Sequence, residues 1–305
     1  VAKNSSSEAT IKAKAPLGAS LIVLSSFFYA SYGIWTKLMG NFFDGFMASA
    51  LRSVLVLLML APFALAYKQF EPLHLKRNWP HITGMFVASL FVWGPLYYAI
   101  LHAGVGISLT VSYASILIGM FFFGWLFGRE RFTKDKAVSV VLGIVGLALI
   151  FSPNTKGIAW VAFVAAMVSG LSSAACIVFA KRIHYGATQS TSMLWFNSVI
   201  ANFLMVAIFS KHYPVIGWHI EWLYLVAFAL ASVIASWSFI RGTKLIEAGA
   251  AGVLGLLEIV FGVLFGVLFF HERPGAVVLL GVMMIIVTAA IPYIQHYNSR
   301  RGALE

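Results

Sequence analysis

Glu258 stands well inside an apolar stretch, residues 250–270, and is the one acid read at membrane depth, Glu221 sitting at the edge of 220–240. A carboxylate at membrane depth costs at least about 2.5 kcal/mol on insertion scales, so it must face a cavity or a partner. Such a group can accept a proton or meet the amine of a substrate; it can equally serve as a structural hydrogen-bonding group for neighbouring backbone. Arg52 is the only base buried within an apolar stretch, 45–66, Lys37 and Lys136 standing at the ends of theirs. Its long side chain can snorkel to anchor backbone carbonyls, a structural role, or take part in binding or gating. Tyr29, Tyr32 and Trp35 follow at three-residue spacing and so share roughly one helical face. Trp93-Gly94-Pro95 precedes Tyr97 and Tyr98. Pro95 has no N–H for the Phe91 carbonyl and predicts a kink there, a candidate wall or gate of a binding site. Tyr32, Trp93, Tyr97, Tyr113 and Trp237 are expected to line one cavity, with Ser173 offering a hydroxyl. Two opposing tendencies stand against this: Trp and Tyr collect at membrane interfaces, and serines in membrane helices bond their own backbone.

The elements that must position these groups are helices in lipid. The chain has 305 residues, 61% hydrophobic and only 10% charged, with a mean hydropathy of +0.90. Soluble domains carry roughly 25% charged residues, so the composition is that of a polytopic membrane protein. A spanning helix needs about 20 apolar residues. Ten such stretches can be drawn, at 17–38, 45–66, 80–101, 105–127, 136–152, 157–180, 189–210, 220–240, 250–270 and 275–296. The first follows a polar, basic start, yet its length and its counterpart at 157–180 make it a membrane helix and not a signal peptide. Residues 1–16 and 297–305 are read as short cytoplasmic tails.

The net charge of +11 follows topology. With the N-terminus in the cytoplasm, sixteen Lys and Arg fall inside, four (Lys37, Lys156, Lys211, Arg273) fall outside, and Arg52 lies within a span, which accounts for all 21. The positive-inside rule then places both termini in the cytoplasm, so the basicity is no sign of nucleic-acid binding.

From residue 17 onward the chain contains itself twice. Lys37 closes the first stretch and Lys181 the sixth, 144 residues later; Ala103 and Ala248 are 145 apart, and Glu130 and Glu272 are 142 apart. Each copy, 17–152 and 157–296, holds five stretches. An odd unit ends on the opposite side of the bilayer, so its duplicate is inserted upside down. This all-α fold of ten transmembrane helices in two inverted five-helix repeats is the architecture of secondary carriers, with the substrate expected near the midplane between halves.

These residues carry a resemblance. Leu256-Leu257-Glu258-Ile259-Val260 followed by Phe270-His271-Glu272-Arg273 resembles the Leu-Glu-Pro-Val…Leu-Gly-Glu-Arg signature of EamA-type members of the drug/metabolite transporter superfamily. Phe127-Gly128-Arg129-Glu130-Arg131 is similar in the first repeat, as are Ala50-Leu51-Arg52 and the ending Gly33, Trp35, Lys37. The resemblance spans about 17–296. Ile259 replaces the usual proline, the first repeat has no acid opposite Glu258, and Asn197 stands where Arg52 would recur. It implies a carrier exporting amino acids or other metabolites. Helices one, three, four, six, eight and nine would surround one cavity, which brings in Tyr113 and Trp237.

Other classes fit less well. Cys176 is the only cysteine, and the eight histidines are scattered near stretch ends, so neither a disulfide nor a metal site is expected. No phosphate-binding loop points to ATP, and no cofactor is expected. The expected function is a non-enzymatic secondary exporter of amino acids, amines or similar metabolites in the cytoplasmic membrane. Its partners would be the lipid bilayer, its small-molecule cargo and protons, and no oligomer is required. Alternatives are an exchanger or uniporter of nucleotide sugars or other phosphorylated metabolites, a channel, or a membrane enzyme.

Overall fold

In lipid every backbone N–H and C=O must find an internal partner, which restricts spanning segments to helices or closed barrels. The computed structural model describes residues 2–40, 42–66, 75–103, 105–128, 130, 133–151, 160–210 and 217–301, and all regular structure among them is helical. Thirteen helices follow in order. The first repeat holds α1 (Ala2–Ala30), α2 (Tyr32–Met39), α3 (Gly45–Ala66), α4 (Leu75–Leu90), α5 (Trp93–Ala103), α6 (Val105–Gly128) and α7 (Lys134–Phe151). The second holds α8 (Trp160–Arg182), α9 (Ala187–Phe209), α10 (Ile220–Leu245), α11 (Ala248–Gly255), α12 (Leu257–Phe270) and α13 (Ala276–Arg301). Eight segments are long and apolar enough to cross a membrane; the apolar parts of α7 and α13, Lys136–Phe151 and Ala276–Ile291, are shorter. Leu58, Phe196, Leu223 and Met283 stand more than half exposed, an apolar exterior that suits lipid and would be a liability in water.

Three of these segments are broken. α4 gives way to α5 at Phe91–Val92, where the Pro95 argument places a kink. Pro95 itself lies in the first turn of α5, where a missing N–H costs little. The Val92 carbonyl freed at the break accepts a hydrogen bond from the buried Ser169 hydroxyl at 2.6 Å. The other two breaks carry no proline. At Ser31, between α1 and α2, the hydroxyl donates to the Phe28 carbonyl at 2.6 Å and accepts from Trp35 Nε1 at 3.2 Å. At Leu256, between α11 and α12, a tight turn bonds Leu256 N–H to the Val253 carbonyl at 3.2 Å. Gly255 precedes this turn, and glycine weakens a helix by about 1 kcal/mol relative to alanine.

Helices of one repeat pack mainly on helices of the other. The largest contacts pair α6 with α8, α1 with α10, α7 with α13 and α3 with α9; α8 also lies along α4 and α5, and α1 along α12. Exchanging the repeats converts α1–α10 into α8–α4/α5 and α6–α8 into α12–α1, and leaves the other two pairs as themselves. The packing therefore carries the duplication.

Small residues set the close crossings. A Cβ on Gly242 of α10 would stand 2.8 Å from the Gly18 carbonyl of α1. One on Gly170 of α8 would stand 2.6 Å from Ser115 Cβ of α6. Gly262 and Gly266 have the GxxxG spacing of closely packed membrane helices, but neither sits at a helix crossing among the described residues. Nothing lies within 4 Å of a Cβ on Gly262, and Gly266 gives room to the Glu272 carboxylate at the end of its own helix.

Candidate functional site

α3 is started by Asp44, whose Oδ1 accepts the Phe46 N–H at 3.2 Å. Two turns further, Arg52 points into the protein and is 3% exposed. Four rings surround its guanidinium: Phe228 at 4.4 Å, Tyr32 at 5.0 Å, Trp195 at 5.5 Å and Trp93 at 6.0 Å from the central carbon. Ring faces attract a cation but cannot replace the hydrogen bonds its N–H edges lose on leaving water. Nε is buried without a hydrogen-bond partner, and no carboxylate pairs with Arg52 among the described residues. Beside it lies a cavity of about 660 Å³ whose lining includes Tyr32, Thr36, Asp44, Ser49, Trp93 and Phe228.

A second constellation joins the repeats. Tyr113 on α6 donates its hydroxyl to Glu258 Oε1 at 2.8 Å. Glu258 sits in the first turn of α12, just past the turn at Leu256, where the positive end of a helix dipole favours negative charge. Tyr29 adjoins the first constellation, its ring 5.3 Å from that of Tyr32 and 6.2 Å from that of Phe239.

The duplicated Lys and Glu meet across the repeats at opposite ends. Lys181 pairs with Glu130 at 2.9 Å. Glu130 also accepts the N–H groups of Ala248 and Gly249, at 2.8 and 3.4 Å, at the start of α11. Lys181 further donates to the Ile246 carbonyl at 2.8 Å, and Lys136–Glu247 adds a pair close by. The counterpart, Lys37 with Glu272, is an ion pair without such surroundings, its side chains 52% and 54% exposed against 22% and 11% for Lys181 and Glu130. Each Glu closes the same backbone turn, N–H to the carbonyl six residues back, at Gly124 and at Gly266. Equivalent residues thus occupy a knit end and a loose end. The Arg52 cavity, lined by Thr36 and Gly40, lies at the loose one.

The profile of the EamA-like transporter family matches residues 16–152 and again 160–293. The chain belongs to that family. The resemblance read from Glu258, Glu272, Glu130 and Arg52 is thereby shown, and it points to a multi-pass membrane transporter of the drug/metabolite superfamily, a family generally without enzymatic activity. No curated protein matched the chain. A solved structure described as "Crystal structure of protein" is similar at a TM-score of 0.73 and 19% identity, covering 92% of this chain and 98% of that one. At that identity the likeness speaks for the fold alone.

Within this EamA-like chain the residues singled out from sequence fall into separate groups. Tyr32 and Trp93 meet at Arg52, and Tyr113 meets Glu258. Tyr97, one turn beyond Trp93, packs its ring against Phe46 at 4.2 Å and Phe209 at 6.2 Å. Trp237 donates to Thr188 Oγ1 at 3.1 Å and lies under Arg241. It is turned away from the inner face of α10, where Phe228, Ser232 and Ser236 are buried. The Ser173 hydroxyl donates to the Ser169 carbonyl one turn back at 3.0 Å. Sequence reasoning passed over Asp44, Trp195 and Phe228. Asp44 carried a signal, an acid one residue before a helix and eight before Arg52; the two rings carried none, being ordinary aromatics on apolar helices.

Proposed function

We propose that the chain is a secondary carrier that exports small organic metabolites, amino acids and amines among them, across the cytoplasmic membrane by alternating access. The repeats, 17–152 and 157–296, would lie inverted to each other as ten spans with both termini cytoplasmic, so Lys181 and Glu130 mark the cytoplasmic end. One observation carries this reading: sequence-equivalent Lys–Glu pairs in two unlike states, Lys181–Glu130 tied into a helix start and Lys37–Glu272 exposed beside a cavity. In an inverted duplicate the two arrangements are interchangeable, and exchanging them would carry the cavity from one side to the other. Glu258 would take up a proton or face the cargo's amine as the halves rock. A cavity holding a single base supports an amino-acid-sized cargo better than a nucleotide sugar, whose phosphates call for several.

Counterflow tests this directly. Purified protein in liposomes preloaded with mixed unlabelled amino acids should take up labelled amino acids saturably, with trans-stimulation. Flux that rises linearly with concentration and ignores the trans side would mean a channel, and would sink the carrier reading.

A further inference from the structure

The Arg52 cavity contains a fixed positive charge that the protein surrounds with rings and that no carboxylate pairs with among the described residues, Asp44 bordering the same space without reaching it. Arg52 is 3% exposed, its Nε has no hydrogen-bond partner, and it borders about 660 Å³ of open space, a volume within the range of about 300–1,000 Å³ usual for small-molecule sites. Phe228 and Tyr32, at 4.4 and 5.0 Å, hold the charge by cation–π attraction. Such stacking leaves the in-plane N–H donors unspent. A planar fork of N–H groups matches the two oxygens of a carboxylate. We infer that the Arg52 cavity binds the carboxylate of the cargo, and that the cargo is an organic monocarboxylate, zwitterions included, whose apolar or aromatic body lies against Tyr32, Trp93 and Phe228.

This rests on the carrier reading above and narrows it: acids and amino acids are substrates, and amines lacking a carboxylate are not. The rest of the lining agrees. Asp44 borders the same cavity, and its negative charge penalises a ligand carrying more than one. Thr36, the other polar group near the mouth, spends its hydroxyl on the Tyr32 carbonyl at 2.8 Å. Arg52 is therefore the one cationic donor among the lining residues, beside the hydroxyls of Tyr32 and Ser49. Trp93, which lines the cavity beside Arg52, offers an aromatic body its place.

The test uses the full chain in detergent and four probes that share one body: phenylacetate, phenylalanine, phenylalaninamide and phenethylamine. Binding is read as a shift in melting temperature and as quenching of tryptophan fluorescence, and transport as counterflow in liposomes. The two carboxylates should bind and the amide and amine should bind at least tenfold more weakly. Arg52→Gln should weaken the carboxylates roughly ten- to hundredfold, the range for losing a charge-assisted hydrogen bond. Arg52→Lys, which keeps the charge but not the fork, should fall between. Phenethylamine or the amide binding as tightly as phenylalanine, or neither carboxylate binding, overturns the inference with no variant needed. So does a folded Arg52→Gln protein with wild-type carboxylate affinity. Carboxylates that bind but show no counterflow would leave the site standing and remove the carrier; saturable amine counterflow untouched by Arg52→Gln would do the reverse.

Discussion

Glu258 and Tyr113 form a side-chain hydrogen bond that crosses the repeats beside the Leu256 break, and they separate structural from coupling roles. Gln at 258 keeps an oxygen for the Tyr113 hydroxyl at about the same 2.8 Å and removes the charge. Glu258→Gln should therefore fold with a melting temperature at or above wild type, since a neutral side chain in hydrocarbon costs less than a carboxylate. If the acid couples transport, the variant should lose gradient-driven accumulation, keep exchange, and show no response to pH at this site. Tyr113→Phe should keep the pH response and shift its midpoint, because the charge stays while one donor goes. Wild-type accumulation and pH profile in Glu258→Gln would make the residue structural. Arg52 needs different handling: its four rings are part of the fold, so ligand chemistry tells more than removal of the side chain.

Among the elements, the α6–α8 crossing leaves the least room. A Cβ on Gly170 would stand 2.6 Å from Ser115 Cβ and closer still to the Ser112 carbonyl, which belongs to backbone and cannot rotate away. Gly170→Ala should destabilise by about 1–3 kcal/mol, the usual cost of overpacking, and should appear as a clear fall in melting temperature. The equivalent change at Gly262, with nothing within 4 Å, should be neutral or slightly stabilising, because alanine is the better helix former. Equal effects at both would place the helix crossing elsewhere. The three breaks also differ in kind. The one at Phe91 is forced by a proline, whereas those at Ser31 and Leu256 are held by a serine side chain and by a glycine followed by packing.

For the whole molecule, the two Lys–Glu pairs set which end is open. Glu130 is 11% exposed and holds Lys181 and two backbone N–H groups; a charge-assisted bond of this sort contributes about 1.5–3 kcal/mol. Removing its charge with Glu130→Gln should raise the population open at the Lys181 end roughly ten- to hundredfold. Lys37 with Glu272, each about half exposed, is an exposed pair of the class that contributes about 0–1 kcal/mol, so Glu272→Gln should change little from this state. Both are read by thiol labelling of cysteines placed at Ala250 and at Thr36, partly exposed and exposed respectively, in a Cys176→Ala background. Glu130→Gln should expose position 250 and protect position 36. Unchanged labelling at both would mean that the pair does not gate.

The apolar stretches, the duplication and the repeated Lys and Glu positions were legible from residues 17–296 alone. Lipid admits only helices of about 20 apolar residues, and a repeated order of residue types survives as a repeated order of helices. The kink near Pro95 was legible for the same local reason, an absent N–H. Glu258 and Arg52 were legible as functional candidates because charge at that depth is costly wherever it occurs. Their partners were not. Which ring faces which cavity depends on how helices from opposite repeats rotate against each other, and the crossings at Gly18–Gly242 and Gly170–Ser115 set that rotation between residues far apart in sequence. For this reason Tyr97 and Trp237 left the expected cluster while Trp195, Phe228 and Asp44 entered it. The breaks at Ser31 and Leu256, with no proline to announce them, were likewise decided by tertiary packing, as was the difference between two ends built from equivalent residues.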